Sequence, residues 1–422
     1  MRPSSRCCIP VAVGFASIVV RWRKPAATIL LAVLGSLVVQ AAEEPRVLTP
    51  SPSAFDALSR FAAVLDAIQK NYVRPSSVDA ARCTTLALRT YVRSIDPEAD
   101  LLSPEDLAAT NAPPHWTDVG LRVAMNGDFP IIISPRDDSP AQDAGLLPGE
   151  QIVAVDKTPL FRLRRLEIEQ LLRGPANSRV TLRVVDPTTG AARDLHMLRA
   201  GLATAPSVTF KFLDKGIAYC RLPEFTQPAV ESLRVAMIRA KTEHASGVIL
   251  DLRNNTGGTF DAAQVAASMF LPKDAPIVAL EYATASQRAS FVSAEEKKFT
   301  MPLALLINAG TAGEAELFAA ALQDNKRAWL IGNKTFGRGF LTTTVPLADS
   351  FVLSMPSAYF MRPSNALLQG RGVTPDVSIG LPRQTERLLE RIGFSTFQWP
   401  GHRTQVLATD LALAKAMSLL AR

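Results

Sequence analysis

Gly247-Val248-Ile249-Leu250-Asp251-Leu252-Arg253-Asn254-Asn255-Thr256-Gly257-Gly258 reads as a strand that runs out into a glycine-ended loop. Its near-continuous apolar run marks a strand buried on both faces, as in a parallel sheet; a strand with one wet face would alternate. Outward from it, strand and helix take turns. Ile217 to Leu222 reads as a strand and Pro228 to Lys241 as a helix opened by proline. Thr259 to Phe270 is a helix, Leu303 to Asn308 a second buried strand, Glu314 to Gln323 a helix, and Trp329 to Gly332 a short strand. This βαβ succession predicts an α/β core of mainly parallel strands flanked by helices. Ligands on such sheets sit where loops leave the carboxyl ends of strands. Two loops qualify, Arg253 to Gly258 and Ala309 to Gly313. Each feeds a helix N-terminus whose free amides can stabilise an oxyanion.

Upstream, residues 116 to 186 change character. Short strands are expected at Leu121 to Met125, Ile131 to Ser134, Gln151 to Val155 and Arg179 to Val185, with an amphipathic helix at Arg165 to Leu172. Here Ser139-Pro140-Ala141-Gln142-Asp143-Ala144-Gly145-Leu146-Leu147-Pro148-Gly149-Glu150 closely resembles the S-P-A-x-x-A-G-L-x-x-G-D signature of a PDZ domain. That resemblance implies a β-rich domain with short helices, placed at residues 113–190. Such domains bind a carboxyl-terminal peptide by strand addition, with backbone amides of a glycine loop holding the carboxylate. The matching loop is Val119 to Val123, which makes Gly120, Leu121, Arg122 and Val123 the candidate peptide-binding residues. Arg122 stands where the motif usually has its second glycine, and either narrows the loop or adds a cation for the carboxylate.

Residues 43–112 read as a helical N-terminal segment. Phe55, Leu58, Phe61, Ala62, Leu65 and Ile68 recur at helical spacing until Asn71 to Pro75. A second helix is expected from Val78 to Ile95, stopped by Asp96-Pro97. Ser103-Pro104-Glu105-Asp106 looks like a cap with proline at the first helical position. The core is placed at 191–380, and residues 381–422 as a helical tail.

The 422 residues carry a net charge of +7, which suggests nucleic acid until it is localised. Arg2, Arg6, Arg21, Arg23 and Lys24 all lie in the first 41 residues, where there is no acid, so the remainder carries only +2. Arg21 to Lys24, the apolar Ala26 to Val39 and the small residues of Val39-Gln40-Ala41-Ala42 have the order of an export signal with its cleavage site. Residues 1–42 are therefore expected to be a leader, removed on export to the periplasm or another extracytoplasmic compartment; an uncleaved leader would be a membrane anchor. Of four cysteines only Cys83 and Cys220 remain beyond it, and two buried free thiols is the favoured reading over a bridge.

Leader, helical segment, PDZ domain and α/β core are together the layout of the carboxyl-terminal processing peptidases, or tail-specific proteases. Gly247 to Gly258 resembles that family's LDLRxNxGG, Ala321 to Ala328 its ALQDxxRA, Lys334 to Gly339 its TFGKG, and Gln369 to Asp376 its QGxGxxPD. The resemblance spans residues 54 to 380 and implies a serine peptidase with a serine–lysine dyad. In that family the nucleophile is the middle serine of N-x-x-S-A-S-A-S-E and the base is the lysine of TFGKG. This chain reads Asn308-Ala309-Gly310-Thr311-Ala312-Gly313-Glu314-Ala315-Glu316. Gly313 thus holds the nucleophile position and Arg338 the base position, and Thr342 stands where a glutamine usually follows.

A dyad needs a hydroxyl whose proton passes to a neutral amine. Glycine has no hydroxyl, and arginine keeps its proton at physiological pH. The expectation is a silent homologue of the peptidases. It would hold polypeptide C-termini through its PDZ domain, alone or as the regulator of an active paralogue or in a homo-oligomer, with Gly257, Gly258 and the Glu314 amide keeping the oxyanion-type frame. The alternative is an active hydrolase with a relocated nucleophile, for which Thr311 and Lys334 are the nearest hydroxyl and amine in sequence. No cofactor or metal is expected, because His115, His196, His244 and His402 show no ligand spacing, and no phosphate-binding loop occurs. Asp251 and Arg253 are read as an ion pair at the strand end, and Glu314 and Glu316 as acids suited to a helix N-terminus.

Overall fold

A computed structural model describes residues 52–110, 116–200, 208–283, 288–294, 299–393 and 410–421. The leader and its expected cleavage site lie outside these. Among the described residues no helix is long and apolar enough to cross a membrane.

The N-terminal segment holds α1 (Pro52–Asn71), α2 (Ala80–Ile95), a strand β1 (Asp100–Leu102) and α3 (Pro104–Thr110). The side chain of Asp79 caps α2 by accepting the Arg82 amide at 3.0 Å. The helical period of α1 does not mark a covered face, since Phe55, Leu58, Val64 and Ile68 are exposed. Cys83 is exposed and Cys220 buried, both as free thiols, so the expectation of two buried thiols fails for Cys83. It lies on α2, which buries none of its residues.

The PDZ domain contains β2 (Trp116–Thr117), β3 (Leu121–Asn126), β4 (Phe129–Pro135), α4 (Pro140–Asp143), β5 (Gln151–Val155), β6 (Thr158–Pro159), α5 (Arg165–Leu172), β7 (Gly174–Pro175), β8 (Arg179–Val185) and β9 (Ala192–Leu198). Its sheet runs β3-β4-β5-β8-β9, which leaves β3 as an edge strand. Ile132, Leu146, Ile152, Leu160, Ile168 and Leu182 fill one core. The expected boundary at residue 190 is too early. β9 pairs with β8 along its whole length, from Val185↔Ala192 to Arg179↔Leu198, so the domain's sheet ends at Leu198.

In the core, β10 (Thr209–Phe212), β11 (Ile217–Arg221), α6 (Gln227–Thr242), β12 (Gly247–Asp251) and α7 (Phe260–Ser268) come first. Then follow β13 (Pro276–Tyr282), β14 (Arg288–Val292), β15 (Leu303–Ile307), α8 (Glu314–Asp324), β16 (Trp329–Gly332), β17 (Phe340–Pro346), β18 (Val352–Met361) and β19 (Val377–Ser378). One sheet runs β10-β11-β12-β15-β16-β19, parallel throughout except at β10. A second, antiparallel sheet of β1, β13, β14, β17 and β18 had no counterpart in the sequence reading. The side chains of β12 divide between two cores. Val248 and Leu250 pack toward the helices, and Ile249 packs toward the opposite face.

That opposite face is closed by α10 (Leu411–Leu420), through Ala412, Leu413 and Ala416. Each large aliphatic side chain buried this way contributes about 1.5–3 kcal/mol. The described residues after 380 are therefore part of the structure rather than a tail. Also in this segment, α9 (Arg383–Ile392) straps the PDZ domain to the core. Arg387 pairs with Glu150 at 2.7 Å, and the Asn254 amide nitrogen Nδ2 donates to Glu390 at 2.7 Å. Arg221 on β11 adds a two-pronged pair with Asp137 at 2.6 Å.

Candidate functional site

The loop after β12 is shaped by its own side chains. Asn255 is fully buried; its Nδ2 donates to the Leu222 carbonyl at 2.8 Å and its Oδ1 accepts the Gly257 amide at 2.9 Å. Gly258 runs beside Phe225 so closely that a Cβ there would stand 2.2 Å from the Phe225 carbonyl oxygen. Across from it, β15 turns through Gly313 into α8. Gly313 has φ 62° and ψ −130°, a left-handed start that glycine adopts without strain.

One carboxylate organises the site. Glu316, on the first turn of α8, accepts the Gly313 amide at 3.1 Å and the Arg338 amide at 2.7 Å on the same oxygen, Oε2. Its Oε1 accepts the Gly337 amide at 2.7 Å and the Thr335 hydroxyl. The backbones of positions 313 and 338 thus face one atom, and the loop carrying Arg338 is stapled to the helix carrying Gly313. Burial pushes the Glu316 carboxyl up to about 7, against the pull of these four donors.

The Arg338 side chain is held to one side. Its Nη2 donates to Glu98 Oε2 at 3.1 Å, and its guanidinium lies 4.7 Å from the centre of the Phe340 ring. Glu98, from the link between α2 and β1, also accepts the Met125 amide of β3 at 2.9 Å. One acid therefore ties the helical segment, the PDZ edge strand and position 338 together.

A cleft of about 540 Å³ separates the PDZ domain from the core. Leu121, Arg122 and Val123 of β3 and Arg165 and Leu172 of α5 form one wall; Gly257, Gly258, Glu314, Arg338 and Thr342 belong to the other. Two sets of residues chosen for separate reasons in the sequence thus meet in one place. Gly313 is buried against this wall, where a Cβ would stand 2.9 Å from the Thr256 carbonyl oxygen. Gly120 is a correction: it does not line the cleft, and its amide donates to Asp118 Oδ1 at 2.7 Å. Thr311 and Lys334 are a second correction. The Thr311 hydroxyl is fully buried and donates to the Leu252 carbonyl at 2.9 Å, while Lys334 is exposed, and neither lines the cleft.

Glu314, expected to contribute its backbone amide to the oxyanion-type frame, also brings its side chain into the cleft. Its Oε2 accepts the Gly258 amide at 2.9 Å. Burial raises its carboxyl above the ordinary value, while the Gly258 amide, the first amide of the helix and nearby Arg338 pull it down. The signal was available, because the quoted N-x-x-S-A-S-A-S-E has alanine where this chain has Glu314.

Asp251 and Arg253 do form the ion pair, at 2.5 Å, beneath the loop and not in the cleft. The Tyr219 hydroxyl donates to Asp251 at 2.8 Å, and Arg253 reaches Asp410 at the start of α10 at 2.8 Å.

The sequence profile of peptidase family S41 matches residues 216–379, and that of the PDZ domain matches residues 131–186. A carboxyl-terminal-processing protease of Synechocystis sp. is 31% identical over 309 residues, 71% of this chain and 71% of that protein. The chain belongs to the carboxyl-terminal processing peptidase family. The carboxy-terminal-processing protease of Bartonella bacilliformis is 28% identical over 341 residues, 78% of this chain and 76% of that one. Among solved structures, a photosystem II D1 C-terminal processing protease superposes with a TM-score of 0.65 at 26% identity, covering 79% of this chain and 97% of that one. In this family member the S41 match takes in Gly257, Gly258, Gly313, Arg338 and Thr342, so the cleft lies where that profile meets the PDZ domain.

Proposed function

We propose that this processing-peptidase homologue is an exported, catalytically silent protein that captures polypeptide C-termini through its PDZ domain. The observation that carries the reading is the cleft itself. On its core side, position 313 is a glycine and position 338 a guanidinium ion-paired with Glu98. Nothing at the first can attack a carbonyl, and nothing at the second can accept the attacking proton. The PDZ side keeps an open edge strand, β3, beside α5, which is what strand addition requires. A bound chain end is then held and not cut, as a scaffold or regulator needs; an active paralogue is a fitting partner, and co-purification tests for it.

The direct test is proteolysis. The purified mature protein is expected to leave an unfolded polypeptide intact and to take no fluorophosphonate label. Labelling or cleavage would overturn the silent reading. For the groove, a peptide with a free terminal carboxylate is expected to bind more tightly than its amide by about 1.5–3 kcal/mol, as for a hydrogen bond to a charged group. Titration calorimetry giving equal affinities would show that the groove does not hold chain ends this way. For export, the mature chain is expected to begin near Ala42 or Glu43, where small residues follow the apolar run. N-terminal sequencing that finds Arg2 or Pro3 would remove the leader from the account.

A further inference from the structure

An oxyanion seat is made by amides aimed at a point where negative charge develops on a substrate carbonyl. In this cleft the Gly258 amide donates to Glu314 Oε2 at 2.9 Å, and the residue 314 amide opens the helix beside it. That carboxylate has been given room. A Cβ on Gly257 would lie 2.1 Å from Glu314 Oε2, so only glycine at 257 admits the side chain in this pose. Gly257 cannot supply a substitute donor, because its own amide is committed to Asn255.

We propose that Glu314 occupies this chain's own oxyanion seat, its carboxylate standing where the oxygen of a tetrahedral intermediate would, so that a substrate carbonyl is shut out. The inference rests on the silent-peptidase reading and adds a third change to Gly313 and Arg338, independent of both. A missing nucleophile and base leave a peptide carbonyl free to enter and be polarised. A filled seat keeps it out altogether. A chain end captured on β3 therefore passes a site that neither attacks nor polarises it. Restoring serine and lysine alone leaves the seat filled.

Three proteins and two readouts test this. Wild type, Gly313→Ser/Arg338→Lys, and the same pair with Glu314→Ala are treated with a fluorophosphonate. In that reaction the serine oxygen displaces fluoride from phosphorus and lysine takes the hydroxyl proton. The triple variant is expected to label roughly a hundredfold faster than the double, the usual worth of an oxyanion donor. Equal rates in double and triple overturn the inference and leave the silent reading standing. Labelling of wild type overturns the silent reading instead.

Serine at 313 must adopt φ 62° with its Cβ 2.9 Å from a carbonyl oxygen, so the reverted proteins can fail to fold. The second readout needs no reversion. Gly257-Gly258 is the only Gly-Gly pair in the chain, so ¹³C′-glycine with ¹⁵N-glycine labelling isolates the Gly258 amide as one resonance. In otherwise wild-type protein, Glu314→Ala is expected to move that resonance upfield, as a charged acceptor is lost. An unmoved resonance overturns the proposal whatever the labelling shows.

Discussion

Asp251→Ala is expected to destabilise the fold by about 3–5 kcal/mol, the range for removing one partner of a buried ion pair. Asp251 is fully buried, and it serves Arg253 at 2.5 Å, Arg221 at 3.4 Å and the Tyr219 hydroxyl at 2.8 Å. The guanidiniums beside it hold its carboxyl below the usual carboxylate range despite burial. Alanine leaves two buried guanidiniums short of a counter-charge. Arg253 also anchors Asp410, whose Oδ1 accepts the Leu413 amide at 3.0 Å and so caps α10. The loss therefore extends to the helix that covers one face of the sheet. Tyr219→Phe removes the hydrogen bond to Asp251 and leaves the charges paired, so about 1 kcal/mol is expected from losing that bond. Urea midpoints at neutral pH measure both. If the alanine variant fell within 1 kcal/mol of wild type, the network would not be structural, and a role for Asp251 in chemistry would have to be reopened.

Glu316→Gln is the second large effect, expected at about 2–5 kcal/mol. The substitution keeps the shape and replaces one oxygen with an NH₂ group. In either orientation that group faces two donors, either the Gly313 and Arg338 amides or the Gly337 amide and the Thr335 hydroxyl. Each buried donor left without an acceptor costs about 1–3 kcal/mol. The variant also changes the pH profile. Glu316 stands at about 7 in the fold against an ordinary 4.5, so between those values the folded state binds the extra proton. Stability from this group is then full below about pH 4.5 and falls as pH rises toward 7. Glu390, a buried residue of α9 also pushed up to about 7 by its burial, works in the same direction. Wild type is therefore expected to lose stability between pH 5 and pH 8, and Glu316→Gln to lose less across that range. A wild-type curve that rose over the same interval would contradict the sign.

In the sequence itself, the apolar run of Gly247 to Leu252 determined a strand buried on both faces, because only a parallel sheet covered on each side tolerates so few polar residues. The loops ending at Gly258 and Gly313 were marked as ligand-side loops because each leaves the carboxyl end of a strand, and the resemblance to the peptidase family added Arg338 to them. Arg165 to Leu172 is the helix expected, residue for residue. These are local signals: a period, a cap, a short ordered motif.

Contacts between distant segments left no such mark, and the tertiary structure alone decided them. The exposed face of α1 has the same period as a covered one. The antiparallel sheet needs β1 to reach β18 across some 250 residues, and the local pattern of either segment names no partner. Glu98 meets Arg338 across 240 residues, and Glu314 meets Gly258 across 56. The charge of a glutamate is written in the sequence, but the Gly258 amide that meets it comes within reach only once β12 and β15 lie side by side and their loops close over the same point.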